Sequence, residues 1–323
     1  MEEIDLKQKL WNVKTFISFL IAFAILYLLF SRLNFSGAVK MIAGINPLLY
    51  LLAFLINYLS YPLRGLRWKS FLSNAGFNGS WRDVTEIVFL SWFANCLVPA
   101  KLGDFYRSYL LKKNYDFPAI KALGTVYVER MFDVIFLISM LAISGFIVFG
   151  SAIPRDVILA LEIASFLALL LLASWFLITQ RRSNIAKVLP NRVKHLFLKF
   201  EEGLSQALVL RAIPAVFAYT LFIWLFESAR LLFVILALGL KSSISIAIII
   251  FTALSASLLT SLPITPAGLG AVELAIVAML GFAGLDSDSA LSAAMLDRFI
   301  SYWSILIFGA LLYIKSSKTR NVI

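Results

Sequence analysis

A short pattern occurs twice in this chain, and no other feature restricts its fold as much. Pro99-Ala100-Lys101-Leu102-Gly103 is answered by Pro266-Ala267-Gly268-Leu269-Gly270, an offset of 167 residues (266 against 99). The flanking charges repeat at nearly the same spacing, Arg64 matching Arg230 at 166 and Arg130 matching Arg298 at 168. A Pro/Gly break inside an apolar segment, once in each half and bracketed by arginines, predicts a duplicated unit of the transporter type.

The breaks interrupt segments suited to lipid. Hydrophobic residues make up 61% of the 323, and mean hydropathy is +0.90, well beyond the ~45–50% apolar usage of soluble domains. The chain is therefore expected to be an all-α polytopic membrane protein, a single integral domain over 1–323. Its net charge of +11 sits in short loops between apolar runs, which reads as topological charge and excludes a nucleic-acid partner. Cys96 is the sole cysteine and His195 the sole histidine, so neither a disulfide nor a zinc or iron–sulfur site is expected. Asp286-Ser287-Asp288 is too short to mark a metal-dependent sugar site. No cofactor is expected.

Runs long enough to span appear at about 14–31, 47–63, 119–149, 157–179, 213–239 and 289–314. Lys7, Lys9 and Lys14 precede the first, which lacks a small-residue cleavage site after Phe30 and is read as a retained helix. Two further segments are broken and read as re-entrant. The first runs 84–98, breaks at Pro99 to Gly103 and resumes to about 112; its leading arm reaches only ~22 Å of a ~30 Å hydrocarbon core. The second runs 244–262, breaks at Pro263 to Gly270 and resumes to about 284. Its arms are nearly long enough to cross, so a re-entrant hairpin and a tight pair of spans both stay open.

With both termini cytoplasmic, the inner segments hold 22 of the 29 Lys and Arg, nine of them between Arg64 and Lys121. This orientation makes the repeat units, 47–149 and 213–314, inverted with respect to each other. Residues 181–211 join them. The spacing of Leu189, Val193, Leu196, Phe197, Phe200 and Leu204 against Arg192, Lys194, Lys199 and Glu201 predicts an amphipathic helix lying on the cytoplasmic surface.

Ionised side chains at helix centres cost roughly 2.5–3.5 kcal/mol each, so they face the bundle interior and pair. Arg130 with Asp133, and Glu227 with Arg230, are three apart and share a face. Glu129, four from Asp133, is expected to need an external cation or a proton. Asp297 and the adjacent Arg298 point to different faces and need partners elsewhere, with Glu273 a candidate. Free N–H groups near Gly103 and Gly270 are expected to hold an anion with Lys101 and Arg107, or to be capped by Asp104 and Glu273.

Several stretches carry a more specific likeness: Arg64-Gly65-Leu66-Arg67-Trp68; Asn95 to Pro99 leading to Gly103-Asp104-Phe105-Tyr106-Arg107; Glu129-Arg130 with Asp133; Pro263-Ile264-Thr265-Pro266 with Gly268 to Glu273; and Arg298 followed by Tyr302-Trp303. In this order they resemble the lysylphosphatidylglycerol synthase transmembrane-region family, also described as flippase-like, over nearly the whole chain. The family includes the membrane half of the multiple peptide resistance factor, whose soluble aminoacyl-transferring domain has no counterpart here. At the position of Asp104 the family commonly has Glu. The resemblance implies lipid translocation in the cell membrane and no enzymatic activity. The substrate is then a membrane phospholipid or lipid-linked compound with an anionic group. Arg64, Lys101, Asp104, Arg107, Glu129, Arg130, Asp133, Glu227, Arg230, Glu273, Asp297 and Arg298 are the expected binding residues. An intramembrane lipid-modifying transferase is the alternative. A separate lipid-modifying enzyme and a second copy of the chain, as a homodimer, stay open as partners.

Overall fold

The computed structural model describes residues 13–32, 35–99, 101–150, 155–240, 244–261 and 265–320. Pro263, expected at the second break, lies outside them. The described residues contain helices and no strand: α1 (Val13–Arg32), α2 (Phe35–Ala43), α3 (Pro47–Asn74), α4 (Trp81–Leu97), α5 (Leu102–Tyr115), α6 (Ala119–Phe149), α7 (Arg155–Gln180), α8 (Arg182–Val188), α9 (Asn191–Ala207), α10 (Ile213–Ala237), α11 (Ile246–Ser261), α12 (Ala271–Phe282), α13 (Ser287–Arg298) and α14 (Ser304–Lys315), the last two joined by a π turn over Phe299–Trp303. Four helical stretches are long and apolar enough to cross a membrane, and a fifth if α2 and α3, bent by 95°, count as one span. Six such runs were expected. On the described residues the first falls short, its apolar part covering Thr15–Leu29.

Local chemistry sets several boundaries. Asn46 caps α3, its Oδ1 accepting from Leu48 N at 3.0 Å and Leu49 N at 3.2 Å, with Pro47 in the first turn where its missing N–H costs nothing. Asp286 caps α13 in the same way, accepting from the N–H groups of Asp288 and Ser289. The span expected over 47–63 runs on through Pro62 to Asn74. Arg64 and Arg67 are therefore buried in a helix and are not loop charges; Arg107 is equally buried. These three and Lys101, which lines a cavity, are four of the 22 basic residues that the topology count assigned to the inner side.

Each broken segment folds back as a hairpin. At the open end of the first, Asp83 at the start of α4 and Asn114 near the end of α5 both bond Lys318, at 2.6 and 3.1 Å. The open end of the second lies at the far end of α6, where Phe149 meets Phe251 of α11 and Phe282 of α12 with ring centroids 5.6 and 5.2 Å apart. The hairpins thus enter from opposite ends of α6. Their tips meet inside, where Tyr302 Oη donates to the Cys96 carbonyl at 3.1 Å and Cys96, Ala267 and Leu269 share one apolar cluster. Arms of 17 and 14 residues, then 16 and 12, reach only about 26, 21, 24 and 18 Å, so none crosses a ~30 Å core alone.

Glycine permits the closest approach within the first hairpin. A Cβ on Gly103 would stand 2.0 Å from the Ser91 carbonyl oxygen. Within the 181–211 linker α9 is exposed over its first half and packs along α6 over its second, where a Cβ on Gly203 would meet the Lys121 carbonyl at 1.9 Å. Glu201, expected on the polar outer face, is buried and forms an ion pair with Arg182, whose Nε lies 2.9 Å from Glu201 Oε2. Val193 and Leu196 stay exposed.

Candidate functional site

A cavity of about 50 Å³ lies where α3 and α10 face the two hairpin tips. On α3 it is lined by Asn57, Tyr61 and Arg64, and on α10 by Trp224, Glu227 and Arg230. Spacings of three and four residues bring each trio to one helix face. Lys101 and Trp92 from the first hairpin, Ala267 and Thr260 from the second, and Arg130, Asp297 and Arg298 complete most of the wall. Asp104, Arg107, Glu129, Asp133 and Glu273, also expected to bind substrate, are not part of the lining and stand behind the arginines.

Each half ties its hairpin tip in the same way. Arg130 Nε lies 3.3 Å from Asp104 Oδ2 in the first turn of α5, and Arg298 Nε donates to Glu273 Oε1 in the first turn of α12 at 2.9 Å. Arg298 Nη2 also donates to the Ala267 carbonyl at 3.2 Å. The matched arginines therefore brace matched tips. The anion expected at the two breaks finds their leading N–H groups already engaged, because a buried donor takes a partner wherever one is in reach. Gly103 N donates to Asn95 Oδ1 at 2.8 Å and Gly270 N to Glu273 Oε2 at 2.7 Å. Glu273 thus caps and pairs at once, whereas Asp104 forms no side-chain cap.

Behind Arg130 the ions form a closed set. Arg67, fully buried, donates to Asp133 Oδ1 at 2.6 Å, to Glu129 Oε1 at 3.1 Å and to Thr220 Oγ1 at 3.1 Å. Arg107 donates to Glu129 Oε2 at 3.0 Å and lies 3.2 Å from Asp104, while Arg130 reaches Glu129 at 2.9 Å and Asp133 at 3.2 Å. Glu129 is thus held by three guanidinium groups, and the expectation that it lacks a local partner is corrected. The intrahelical spacing to Asp133 shows only the repulsion, since the compensating arginines come from α3 and α5.

Around the cavity, Arg64 spans the two halves, its Nη2 donating to Glu227 Oε1 at 2.6 Å. Its guanidinium also lies 4.6 Å from the Trp92 ring centroid and 5.8 Å from that of Trp224, within cation–π range. Arg230 bonds Glu227, donates to Asp297 Oδ1 at 2.8 Å and to Asn57 Oδ1 at 3.1 Å. Asp297 and Arg298 thus have separate partners, as their adjacency requires. The π turn follows at once; its wider pitch shifts the phase of the helix faces and is a feature that often accompanies functional sites. Lys101 holds a left-handed backbone, φ 55°, a conformation costing a non-glycine residue roughly 1–2 kcal/mol. Its ammonium lies 5.9 Å from the Trp92 ring and has no carboxylate partner among the described residues.

Sequence reasoning missed Asn57, Arg67, Trp92, Thr220 and Trp224 as site residues. The stripe of Asn57, Tyr61 and Arg64 at i, i+4, i+7 was the available signal for the first, and Trp224 lies three before Glu227. Arg67 stood only within the Arg64–Trp68 stretch of the family likeness, and hydropathy gave no signal because the apolar run ends before it.

Fold and site together define a polytopic membrane protein with an ionic cavity between two hairpin-bearing halves. The chain belongs to the family described as lysylphosphatidylglycerol synthase TM region, matched over residues 15–309. Relatives include the UPF0104 membrane protein MJ1078 of Methanocaldococcus jannaschii, 37% identical over 68% of this chain and 93% of its own length, and the UPF0104 membrane protein PH1989 of Pyrococcus horikoshii, 24% identical over 95% of this chain and 98% of its own. Another, from Haloferax volcanii, is named Glycosyltransferase AglD; it is 24% identical over 89% of this chain, which matches 52% of that protein. This relative overturns the expectation that the chain is no enzyme, since a protein sharing this membrane region carries a transferase name.

Proposed function

We propose that the protein binds the phosphate-bearing headgroup of a membrane lipid in the cavity and moves it between leaflets by alternating access. The observation that carries this reading is the position of the cavity, at the meeting point of two hairpin tips that enter from opposite ends, with five cationic side chains and two carboxylates in its wall. Backbone broken at membrane depth is tolerated where it is buried or lines a wet cavity, and binding sites at the interface of inverted units are the pattern of secondary transporters. At about 50 Å³ the cavity suits a small cluster of waters and not a headgroup. Loading therefore requires the two halves to part, and the Arg64–Glu227 bridge between α3 and α10 is the contact to be broken. The setting is the cell membrane, with both termini cytoplasmic, the hairpins re-entrant and the supplied lipid made by a separate enzyme.

The relative named a glycosyltransferase favours a second reading, in which the same cavity presents a lipid-linked sugar for transfer. One experiment addresses both. Purified protein is reconstituted with labelled phosphatidylglycerol, aminoacylated phosphatidylglycerol or a polyprenyl-phosphate sugar, and headgroup accessibility and product chemistry are followed together. Protein-dependent exposure of an unaltered headgroup is expected; a static, unmodified lipid in every case removes the transport reading. For topology, in a Cys96→Ser background a cysteine at Asn114 should react only from the cytoplasm and one at Ser287 only from outside. Labelling of both from one side removes the inverted arrangement.

A further inference from the structure

The cavity wall is left with donors and no matching acceptors. Asn57 is 4% and Trp224 7% exposed, and both line the cavity, yet Asn57 Nδ2 and Trp224 Nε1 have no hydrogen-bond partner among the described residues. The amide is not free to turn its oxygen to that side, because Asn57 Oδ1 accepts from Arg230 Nη1. Beside them stands the Lys101 ammonium. A buried donor without an acceptor bears its full desolvation cost, so two in one cavity mark where an acceptor belongs.

Charge gives the same answer. The cavity arginines are matched by carboxylates: Arg64 by Glu227, Arg230 by Glu227 and Asp297, Arg298 by Glu273, and Arg130 within its closed cluster. Of the cations in the cavity wall and the cluster behind it, Lys101 alone has no carboxylate partner among the described residues, which leaves the site with a surplus of one positive charge. An acceptor-only group bearing a single negative charge satisfies both conditions.

We infer that Asn57, Trp224 and Lys101 form the seat of a phosphodiester oxyanion, and that the arginines, spent on carboxylates, hold the walls. This rests on the proposed lipid-headgroup function and deepens it. The selectivity follows: a headgroup is admitted through its phosphate, while an ammonium placed at this point meets two donors and a cation and is rejected.

The test uses the full-length protein in a phosphate-free maltoside detergent, with calorimetric titration of dihexanoyl phosphatidylglycerol, of inorganic phosphate and of an uncharged short-chain glucolipid. Trp224→Phe keeps the ring and removes the N–H; Asn57→Asp keeps the acceptor for Arg230 and removes the donor; Lys101→Met removes the charge. A hydrogen bond to an ionised group is worth about tenfold or more in affinity, so each variant should weaken phosphatidylglycerol binding by about that factor. The glucolipid should bind weakly and equally to all. Trp81→Phe, at an exposed tryptophan, serves as control. Wild-type affinity in the folded variants overturns the seat, with water then satisfying the donors, and leaves the headgroup function standing. Failure of the wild-type protein to bind either phosphate compound removes the function itself. Inorganic phosphate binding as tightly as the lipid keeps the oxyanion seat and overturns its lipid source. Three independent substitutions keep the outcome decisive if one fails to fold.

Discussion

The two halves of the molecule solve one mechanical problem alike and differ in what they add. In both, an arginine on the helix after the hairpin holds a carboxylate in the first turn of the resumed arm: Arg130 on Asp104, Arg298 on Glu273. The first half then builds a closed cluster of three arginines and three carboxylates around Arg67 and Glu129. In the second, Arg298 has only Glu273 as an ionic partner among the described residues, and Arg230 with Asp297 turns to the cavity. Duplicated contacts are thus the braces. Groups that break the symmetry are the ones left for a ligand: at the offset of 166 that relates Arg64 to Arg230, Asn57 answers to Ile223 and Trp224 to Tyr58, and at 167 Lys101 answers to Gly268.

Arg67→Ala tests the brace most severely. It leaves Asp133 and Glu129 short of a fully buried partner, and breaking a buried ion pair from one side costs about 3–5 kcal/mol. A large fall in the thermal unfolding midpoint in detergent is expected; an unchanged midpoint breaks the distinction between brace and cavity. Glu129→Gln comes next, at about 3 kcal/mol, because three guanidinium groups lose a shared charge. Its signature should be instability, with the pH profile of lipid movement unchanged, and a flattened profile in a stable variant would return Glu129 to a proton-carrying role. Arg298→Ala should cost somewhat less, roughly 2–3 kcal/mol, since Glu273 keeps its bond from Gly270 N. The matching Arg130→Ala should cost less again, because Asp104 retains Arg107; the comparison sharpens if proteolysis at the two tips follows the same order.

The smallest effect is expected outside the membrane. Lys121 donates to Glu202 at 2.8 Å between α6 and α9, and that bond, aided by the charges of Lys121, Lys199 and Arg182 against slight burial, holds the Glu202 carboxyl below the usual glutamate range. A depressed carboxylate contributes stability above its unfolded pKa and loses it as pH falls through the folded one. For a single partly exposed pair, screened by solvent on the Glu202 side, this amounts to less than about 1 kcal/mol. Glu202→Gln should therefore lower the unfolding midpoint slightly at neutral pH and not at all at pH values well below the carboxylate range.

Much of the fold was written in local pattern. Apolar length marked α6, α7 and α10, and the Pro/Gly repeat marked both breaks, because lipid leaves a span few ways to satisfy its backbone. The i, i+3 pairs of Arg130 with Asp133 and Glu227 with Arg230 followed from helix geometry alone. Tertiary structure decided the rest. Hydropathy ended α3 near residue 63 because Arg64, Arg67 and Lys69 read as solvent-facing, and only the carboxylates of α6 and α10 make a helix with buried Arg64 and Arg67 affordable there. The same holds for Glu129, crowded within its own helix and satisfied from two others. The amphipathic stripe of α9 was legible, but whether it covers lipid or protein depended on Gly124 and Gly203, whose missing side chains let two backbones touch. Charge balance in a low-dielectric interior is a property of the assembled bundle: the carboxylates that match Arg64, Arg67 and Arg298 lie on other helices, and no short window of sequence contains both members of those pairs.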